Sequence, residues 1–220
     1  MTGRYTLIVG TKDWSSWSLR PWLALKAAGV PFEEIVVPLR KDQLTTEAIR
    51  QYSAAGRVPV LKIADGGNEH TIWDSLAICE TIAERHPDAK LWPDDPWKRA
   101  EARSYAAEMH SGFPDLREQL SMDFARTVPM PALRDATKAQ IARIIEAWVH
   151  ALEHHSDERG FLFGRFSVAD CMYAPVVSRF RTYGVEVPGI VEAYCKRIWS
   201  LPAMREWERA AKEEVDSGVA

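Results

Sequence analysis

Cysteine is scarce in this sequence, and its pattern argues against two kinds of site. The 220 residues contain three cysteines, Cys79, Cys171 and Cys195, and no CxxC motif. An odd number of widely spaced cysteines argues against a disulfide framework and against a zinc site. We therefore expect no metal, and we expect the reducing environment of the cytoplasm.

Long apolar runs and an excess of positive charge are also missing. No stretch approaches the roughly 18 apolar residues of a membrane span, and the run Tyr5–Val9 is too short for a signal peptide. The net charge is −3, and no basic run exceeds two residues. We therefore expect neither a nucleic acid nor a membrane as a partner.

The composition is otherwise that of a folded globular protein, with one unusual number. Hydrophobic residues make up 46% and charged residues 27% of the chain, values that argue against intrinsic disorder. The chain also contains nine tryptophans. Large aromatic side chains fill cores and interfaces, and they also line apolar ligand pockets, so both roles stay open for them.

The first part of the chain alternates between strand and helix signals. Strands are expected at Tyr5–Val9, Phe32–Val37, Val58–Ile63 and His70–Trp73, and helices at residues 18–28, 45–52 and 76–85. The β-branched run Ile35–Val37 favours a strand, and residues 65–68, DGGN, form a hairpin-turn signal. The order β-α-β-α-β-β-α predicts an α/β domain over residues 1–86.

The rest of the chain carries almost no strand signal. Residues 87–96 are rich in proline and turn residues, and we interpret them as a linker. Helices are expected at residues 97–112, 115–125, 135–155, 168–181, 188–198 and 202–215. In the third of these, apolar residues recur at helical spacing on one face. We predict an all-helical domain over residues 97–220.

Three serines lie between the first strand and the first helix, in residues 14–18, WSSWS. A serine at a helix N-terminus caps the helix, and we expect one of them to do so. The free N–H groups and the dipole of such a terminus also stabilise an anion and lower the pKa of a thiol. The other serines are therefore candidates to hydrogen-bond a thiolate.

Two pairs of residues suggest how a peptide could be held. Val58 and Pro59 begin the third strand. If the bond between them is cis, the N–H and C=O of Val58 turn outward and can pair with a peptide. Asp74 and Ser75 begin the next helix, where Asp74 is an N-cap candidate. The two residues could also grip an amino-acid end, because Asp74 can hold an ammonium while Ser75 and the helix N–H groups hold a carboxylate.

Taken in order, these motifs resemble those of the cytosolic glutathione transferases over nearly the whole chain. Residues 15–20, SSWSLR, are similar to the SSCSWR motif of the zeta class, the maleylacetoacetate isomerases, with Trp17 in the place of the cysteine. Residues 57–61, RVPVL, resemble the cis-proline segment of the family. Residues 109–113, MHSGF, resemble a segment of bacterial transferase-like proteins.

Two further matches strengthen the resemblance. Asp74 and Ser75 resemble the γ-glutamyl clamp of the family. Residues 166–170, FSVAD, resemble its buried N-capping box, in which Ser167 caps the helix and Asp170 reaches back to the chain before it. The resemblance implies a thioredoxin-like first domain, followed by an all-helical domain that shapes a substrate pocket.

The resemblance also implies reduced glutathione as co-substrate and assigns residues to each part of it. The γ-glutamyl end would lie on Asp74 and Ser75, and the cysteinyl backbone would pair with Val58 beside Pro59. The sulfur would face the serines, with Ser15 favoured as the donor to the thiolate and Ser16 close behind. The candidates for a cation near the glycine carboxylate are Arg40, Lys41 and Arg57.

The resemblance places the electrophile pocket between the domains. Trp17, Met109, His110 and Phe113 are candidates to line it. The alternative for Met109 and Phe113 is a place in the core, and the alternative for His110 is an interface histidine. We expect the adjacent pair His154-His155 to lie on the surface, because neighbouring positions do not share a helix face.

Three functions remain open at this point. The first is a transferase that conjugates glutathione to small electrophiles, a detoxification reaction. The second is a glutathione-dependent cis–trans isomerase of the maleylacetoacetate type, which needs cations in the pocket, and Arg117 is a candidate. The third is a non-enzymatic interaction module, which has no need of the clamp residues. The resemblance implies a homodimer in each case.

Overall fold

The computed structural model of the chain describes residues 3–39 and 43–220. Its first part contains the strands β1 (Arg4–Gly10), β2 (Phe32–Val37), β3 (Val60–Asp65) and β4 (Asn68–Ile72), and the helices α1 (Ser16–Ala27), α2 (Gln43–Arg50) and α3 (Ser75–Arg85). The predicted order β-α-β-α-β-β-α is confirmed. The boundaries differ from the prediction by up to about two residues, as is usual where helix and strand ends fray.

The four strands form one mixed sheet in the order β2-β1-β3-β4. β1 pairs parallel to β2 and antiparallel to β3, and β4 returns antiparallel along β3. Side chains alternate between the two faces of β1. Leu7 and Val9 join the large core shared with the helices, whereas Ile8 packs with Ile49 of α2. This is the thioredoxin-like arrangement expected from the sequence.

The second part of the described chain is helical. A short 3-10 turn, Pro87–Ala89, leads to α4 (Pro96–Ser111), α5 (Pro114–Gln119), α6 (Asp135–His154), α7 (Val168–Tyr183), α8 (Gly189–Trp199) and α9 (Pro202–Asp216). Within residues 3–39 and 43–220, no helix has the length and apolar character to cross a membrane. The domain boundaries at residues 86 and 97 stay a prediction.

The predicted helix over residues 115–125 is wrong in its second half, because α5 ends at Gln119. Tertiary hydrogen bonds replace helical ones in the segment that follows. The N–H of Phe124 donates to the C=O of Asp13 at 3.2 Å, and the N–H of Ala125 donates to the Asp13 carboxylate at 2.8 Å. The Thr182 hydroxyl donates to the C=O of Asp123 at 2.7 Å. Hydrogen bonds to Asp13 and Thr182, rather than helix propensity, therefore determine the conformation of this segment.

Some tryptophans lie in the core and others line a cavity, so the first role is confirmed and the ligand-pocket role stays a prediction. Trp22, Trp148 and Trp207 are among the largest fully buried side chains, and Trp22 contacts Trp207 edge-on at 5.2 Å between ring centroids. Trp14 and Trp17, by contrast, line a cavity beside α1.

Helix α7 begins with the predicted capping box, which is confirmed. The Asp170 carboxylate accepts from the N–H of Ser167 at 2.9 Å, from the Ser167 hydroxyl at 3.0 Å and from the N–H of Leu162 at 3.2 Å. Asp170 is fully buried, and burial raises the pKa of its carboxyl to about 6. One buried side chain thus joins the start of α7 to the loop before it.

Replacement of Asp170 by Ala should lower the free energy of unfolding by about 3 kcal/mol at pH 5, because three donors lose their buried acceptor at about 1 kcal/mol each. The folded-state pKa is raised, so the contribution of the carboxyl is fully present below its unfolded pKa near 3.9. It is lost as the pH rises through about 6. The difference between the two proteins should therefore shrink towards pH 8.

Urea unfolding followed by circular dichroism at both pH values measures this difference. Asp135→Ala is the matched control, because the Asp135 side chain is 99% exposed and should contribute almost nothing. Equal midpoints for wild type and Asp170→Ala at pH 5 would contradict the structural role assigned to the capping box.

Candidate functional site

Most of the predicted site residues gather around two neighbouring cavities where the first domain meets α4 and α5. We call the first the clamp cleft; it has a volume of about 380 Å³ and is lined by Trp17, Ala55, Arg57, Val58, Pro59, Trp73, Asp74, Ser75 and His110. We call the second the arginine cavity; it has a volume of about 800 Å³ and is lined by Trp14, Ser16, Trp17, Leu39, Arg117, Ser121, Met122, Asp123, Arg179 and Val219. Trp17 lines both.

Asp74 serves the helix and faces the cleft at the same time. Its Oδ1 accepts from the N–H groups of Leu76 at 3.1 Å and Ala77 at 3.4 Å, so it is the N-cap of α3 as predicted. Its Oδ2 lies 3.1 Å from Nε2 of His110 on α4. The carboxylate therefore ties the two domains together and still presents a half-exposed negative group to the cleft.

Ser75, the first residue of α3, is fully buried at the wall of the clamp cleft. Its hydroxyl oxygen has no hydrogen-bond partner among the described residues. Leaving a buried hydroxyl unpaired costs about 1–3 kcal/mol, so a natural structure rarely keeps one without a reason. A carboxylate placed at this helix N-terminus would supply the missing acceptor.

The segment before β3 forms the opposite wall of the clamp cleft. The bond between Val58 and Pro59 is cis, as the motif required. Sheet pairing of β3 begins at Val60, so the N–H and C=O of Val58 lie outside the ladder. Arg57 lies on the rim of the cleft and is exposed. The other two candidate cations, Arg40 and Lys41, lie outside the described residues.

The three serines are arranged differently from the expectation. Ser15 occupies the N-cap position of α1, but its side chain makes no capping hydrogen bond, so the expected cap is wrong there. Its Oγ instead lies 2.7 Å from Oγ of Ser18, which accepts from the N–H of Gly10 at 3.1 Å. Ser15 is buried behind the lining, whereas Ser16 lines the arginine cavity.

A hydroxyl proton rotates to suit its partners, so the hydrogen bond between Ser18 and Ser15 can be donated from either hydroxyl while the N–H of Gly10 donates to Ser18. In one, Ser15 donates to Ser18. In the other, Ser18 donates to Ser15 and leaves the Ser15 proton free for a ligand. The Ser15 hydroxyl can therefore donate to Ser18 when no anion is bound and to an anion when one is present.

Trp17 is held on several sides by charged and polar neighbours. The guanidinium carbon of Arg20 lies 4.2 Å from the centre of its ring, and that of Arg117 lies 4.7 Å from it. The ring of His110 approaches edge-on at 5.3 Å. Cation–π contacts of this kind, in a place partly shielded from water, fix the position of the indole.

Three arginines give this region a positive potential. Burial, together with the charge of the nearby Arg117, lowers the pKa of Arg20 to about 9 and that of Arg179 to about 10. Burial also lowers the pKa of Arg117. All three remain cations at neutral pH. Two nitrogens of Arg20, Nε and Nη1, have no hydrogen-bond partner among the described residues. The arrangement suits an anionic ligand.

The remaining site predictions have mixed support. Met109 and Phe113 are buried in the hydrophobic core and line neither cavity, so their contact with a substrate stays a prediction that the lining does not support.

Two arginines of this region, Arg20 and Arg179, were not predicted from the sequence. Arg20 follows Trp17 by one helical turn, which is the signal that could have found it; Arg179 comes from α7, and no local pattern connects it to the site.

Two family models match the chain. The model described as glutathione S-transferase, N-terminal domain, matches residues 14–85, and the model described as glutathione S-transferase, C-terminal domain, matches residues 131–210. The two matches follow each other in the order of the α/β and helical parts and together cover most of the chain.

Curated relatives include maleylacetoacetate isomerases. The chain is 40% identical to that of Mus musculus over 104 residues, which are 46% of this chain and 45% of that protein. It is 38% identical to a probable maleylacetoacetate isomerase of Caenorhabditis elegans over 101 residues, 46% of this chain and 44% of that protein. The chain thus spans about half the length of the curated relatives it matches.

Solved structures resemble the chain over almost its whole length. One is a glutathione transferase homolog from Burkholderia with bound glutathione, with a TM-score of 0.71, 27% identity, and coverage of 96% of this chain and 98% of that one. Another is maleylacetoacetate isomerase from Anaeromyxobacter dehalogenans, with dicarboxyethyl glutathione and citrate in its active site. Its TM-score is 0.67 at 26% identity, with coverage of 94% and 95%.

Proposed function

Because the chain belongs to the glutathione S-transferase family, we propose that it binds reduced glutathione in the clamp cleft and activates its thiolate for attack on a small electrophile. The observation that carries the proposal is the buried hydroxyl of Ser75, which has no partner among the described residues and lies beside the carboxylate of Asp74. The amino-acid end of glutathione has the complementary groups, a carboxylate for Ser75 and an ammonium for Asp74.

The rest of glutathione would follow the lining of the cleft. The cysteinyl backbone would pair with the N–H and C=O of Val58, which the sheet leaves free. The glycine carboxylate would lie near Arg57 on the rim. His110 would hold the Asp74 carboxylate in place from the second domain. The homodimer and the cytoplasmic location stay predictions.

The serines at the α1 terminus would stabilise the thiolate. A free thiol has a pKa of about 8.5, so only a few per cent is ionised at neutral pH. Lowering that pKa by about two units requires roughly 2.7 kcal/mol, which one charge-assisted hydrogen bond and a helix N-terminus can supply. The thiolate then attacks the electrophilic carbon of a substrate held in the arginine cavity.

A second function, cis–trans isomerisation of the maleylacetoacetate type, is favoured by one observation. Such a substrate carries two carboxylates, and Arg117 and Arg179 both line the arginine cavity. Asp123 also lines it, but its charge is countered by Arg126 at 3.2 Å. The thiolate would add to the cis double bond, rotation would follow about the resulting single bond, and elimination would give the trans isomer.

Substitution of Ser75 by Ala should weaken the binding of reduced glutathione about tenfold, because a hydrogen bond to a charged group contributes about 1.5–3 kcal/mol. Isothermal titration of both proteins measures the effect. Thr81→Ala is the control, since Thr81 lies on α3 outside the lining of both cavities and its hydroxyl donates to the C=O of Ala77. Absence of any binding heat for the wild type at millimolar glutathione would favour the non-enzymatic module instead.

Removal of the Ser15 hydroxyl should raise the pKa of the bound glutathione thiol by about one to two units, because the thiolate loses a charge-assisted donor. A pH titration of the ultraviolet absorbance of the thiolate, in saturating glutathione, reports that pKa directly. Ser16→Ala is the matched comparison. A shift in Ser16→Ala with none in Ser15→Ala would transfer the role of the donor to Ser16.

Arg117→Gln should reduce the affinity for dicarboxyethyl glutathione about tenfold or more, because one charged partner of a carboxylate is removed. Its affinity for glutathione itself should fall less, since Arg117 does not line the clamp cleft and reaches it only through its contact with Trp17. Titration with both ligands separates the two effects, and circular dichroism checks the fold. Arg143→Gln is the control, because Arg143 is paired with Glu108. Parallel losses for both ligands would contradict a dicarboxylate site.

A further inference from the structure

A cluster of metal-ligating side chains lies on the helical domain, on residues that line neither the clamp cleft nor the arginine cavity. It consists of Glu101 on α4, His150 on α6, and His155 directly after α6. One carboxylate oxygen and one nitrogen from each imidazole lie within 4.8 Å of one another. The three groups come from two different helices, so tertiary packing rather than local sequence brings them together.

The carboxylate of Glu101 lies between the two histidines. Its Oε1 is 3.6 Å from Nδ1 of His150, and its Oε2 is 2.8 Å from Nε2 of His155. Ligand atoms bound tetrahedrally to Zn²⁺ at about 2.0–2.2 Å from the ion are roughly 3.4 Å apart. The two observed separations lie on either side of that value, so a small movement of the side chains would complete the site.

The nitrogen of His155 is unsatisfied despite the nearby carboxylate. Nε2 is buried and makes no hydrogen bond within the described part of the chain, although Oε2 of Glu101 lies close to it. A buried nitrogen without a properly directed partner calls for an additional ligand. A metal ion bound by both Nε2 and the carboxylate would satisfy each group.

Surrounding contacts hold both imidazole rings in place. The ring of His155 stacks on Phe163 at 5.2 Å with an interplanar angle of 17°, and Nζ of Lys98 donates to the His155 C=O at 2.5 Å. The Tyr105 hydroxyl lies 3.2 Å from Nδ1 of His150. A metal on that nitrogen would displace this contact, and the hydroxyl is free to rotate to another partner.

We propose that Glu101, His150 and His155 bind one divalent transition-metal ion, with Zn²⁺ the best match. Two imidazoles and one carboxylate suit zinc and its neighbours, whereas Mg²⁺ and Ca²⁺ require sets of oxygen ligands. Three protein ligands leave a fourth position for water. The ion would fasten α4 to the C-terminal end of α6. From the cysteine pattern we predicted that the chain binds no metal. That prediction would then be wrong, because it considered cysteine ligands and this site contains none.

The test is a titration of the tag-free protein with Zn²⁺, in the absence of glutathione because its thiol binds zinc. We expect one ion per chain with a low micromolar or smaller dissociation constant, and visible absorption bands of a four-coordinate ion when Co²⁺ is used. His155→Gln and Glu101→Gln should each weaken binding by about tenfold or more, since even outer partners of metal ligands carry an effect of that size. Zinc should raise the unfolding temperature of the wild type but not of these variants.

Two controls keep the outcome decisive. His154→Gln removes a histidine that stacks on His150 at 4.4 Å but is not part of the cluster, and it should bind zinc like the wild type. Ser75→Ala should also bind zinc normally, so this inference and the proposed function can fail separately. Circular dichroism shows whether each variant is folded. No saturable binding to the wild type, or equal affinity in folded His155→Gln and Glu101→Gln, would overturn the proposal.

Discussion

The geometry of the site depends on the burial of helix α7. Every residue of this helix except Arg181 is buried, and it packs against α1 of the first domain and α4 of the second. The carboxylate of Asp170 fixes where the helix begins, and Arg179 near its other end lines the arginine cavity. Helix α1, whose N-terminus carries the serines, packs against the same helix. A shift of α7 would therefore change both walls of the site together.

Burial of three neighbouring guanidinium groups is costly in itself, and helix ends offset part of that cost. Arg117 donates to the C=O groups of Met109 and His110, close to the end of α4. Arg179 donates to the C=O of Leu120, at the end of α5. The C-terminus of a helix carries unpaired carbonyls and a partial negative charge. Each of these two arginines therefore caps one helix C-terminus.

These helix ends satisfy hydrogen bonds but do not neutralise a full charge. Arg20 contributes further, because two of its nitrogens have no hydrogen-bond partner among the described residues and its guanidinium lies over the ring of Trp17. A net positive potential is therefore left beside the α1 terminus. The same feature that makes the structure costly suits it to the thiolate and the substrate carboxylates of the proposed function.

The fold and the start of α3 could be predicted because their signals are local. Strand and helix periods gave the element order, and Asp74 with Ser75 could be recognised as a helix start from two adjacent residues. The rest depends on contacts between distant parts of the chain. The N–H groups after α5 turn to Asp13, and the guanidinium of Arg179 on α7 donates to the C=O of Leu120. No pattern within one segment reports such choices.

Trp17 gives this chain a different site from the zeta motif that it otherwise resembles. A cysteine at this position would offer a thiol, whereas an indole offers one N–H donor and two apolar faces. Because Arg20 and Arg117 lie over the indole ring, it forms a fixed wall shared by both cavities. The loss of a thiol at this position is compatible with the proposed function, in which the nucleophile is the thiol of glutathione. Under that proposal an electrophile would have to fit a cavity shaped before it binds, so the position of one aromatic ring would restrict the range of substrates.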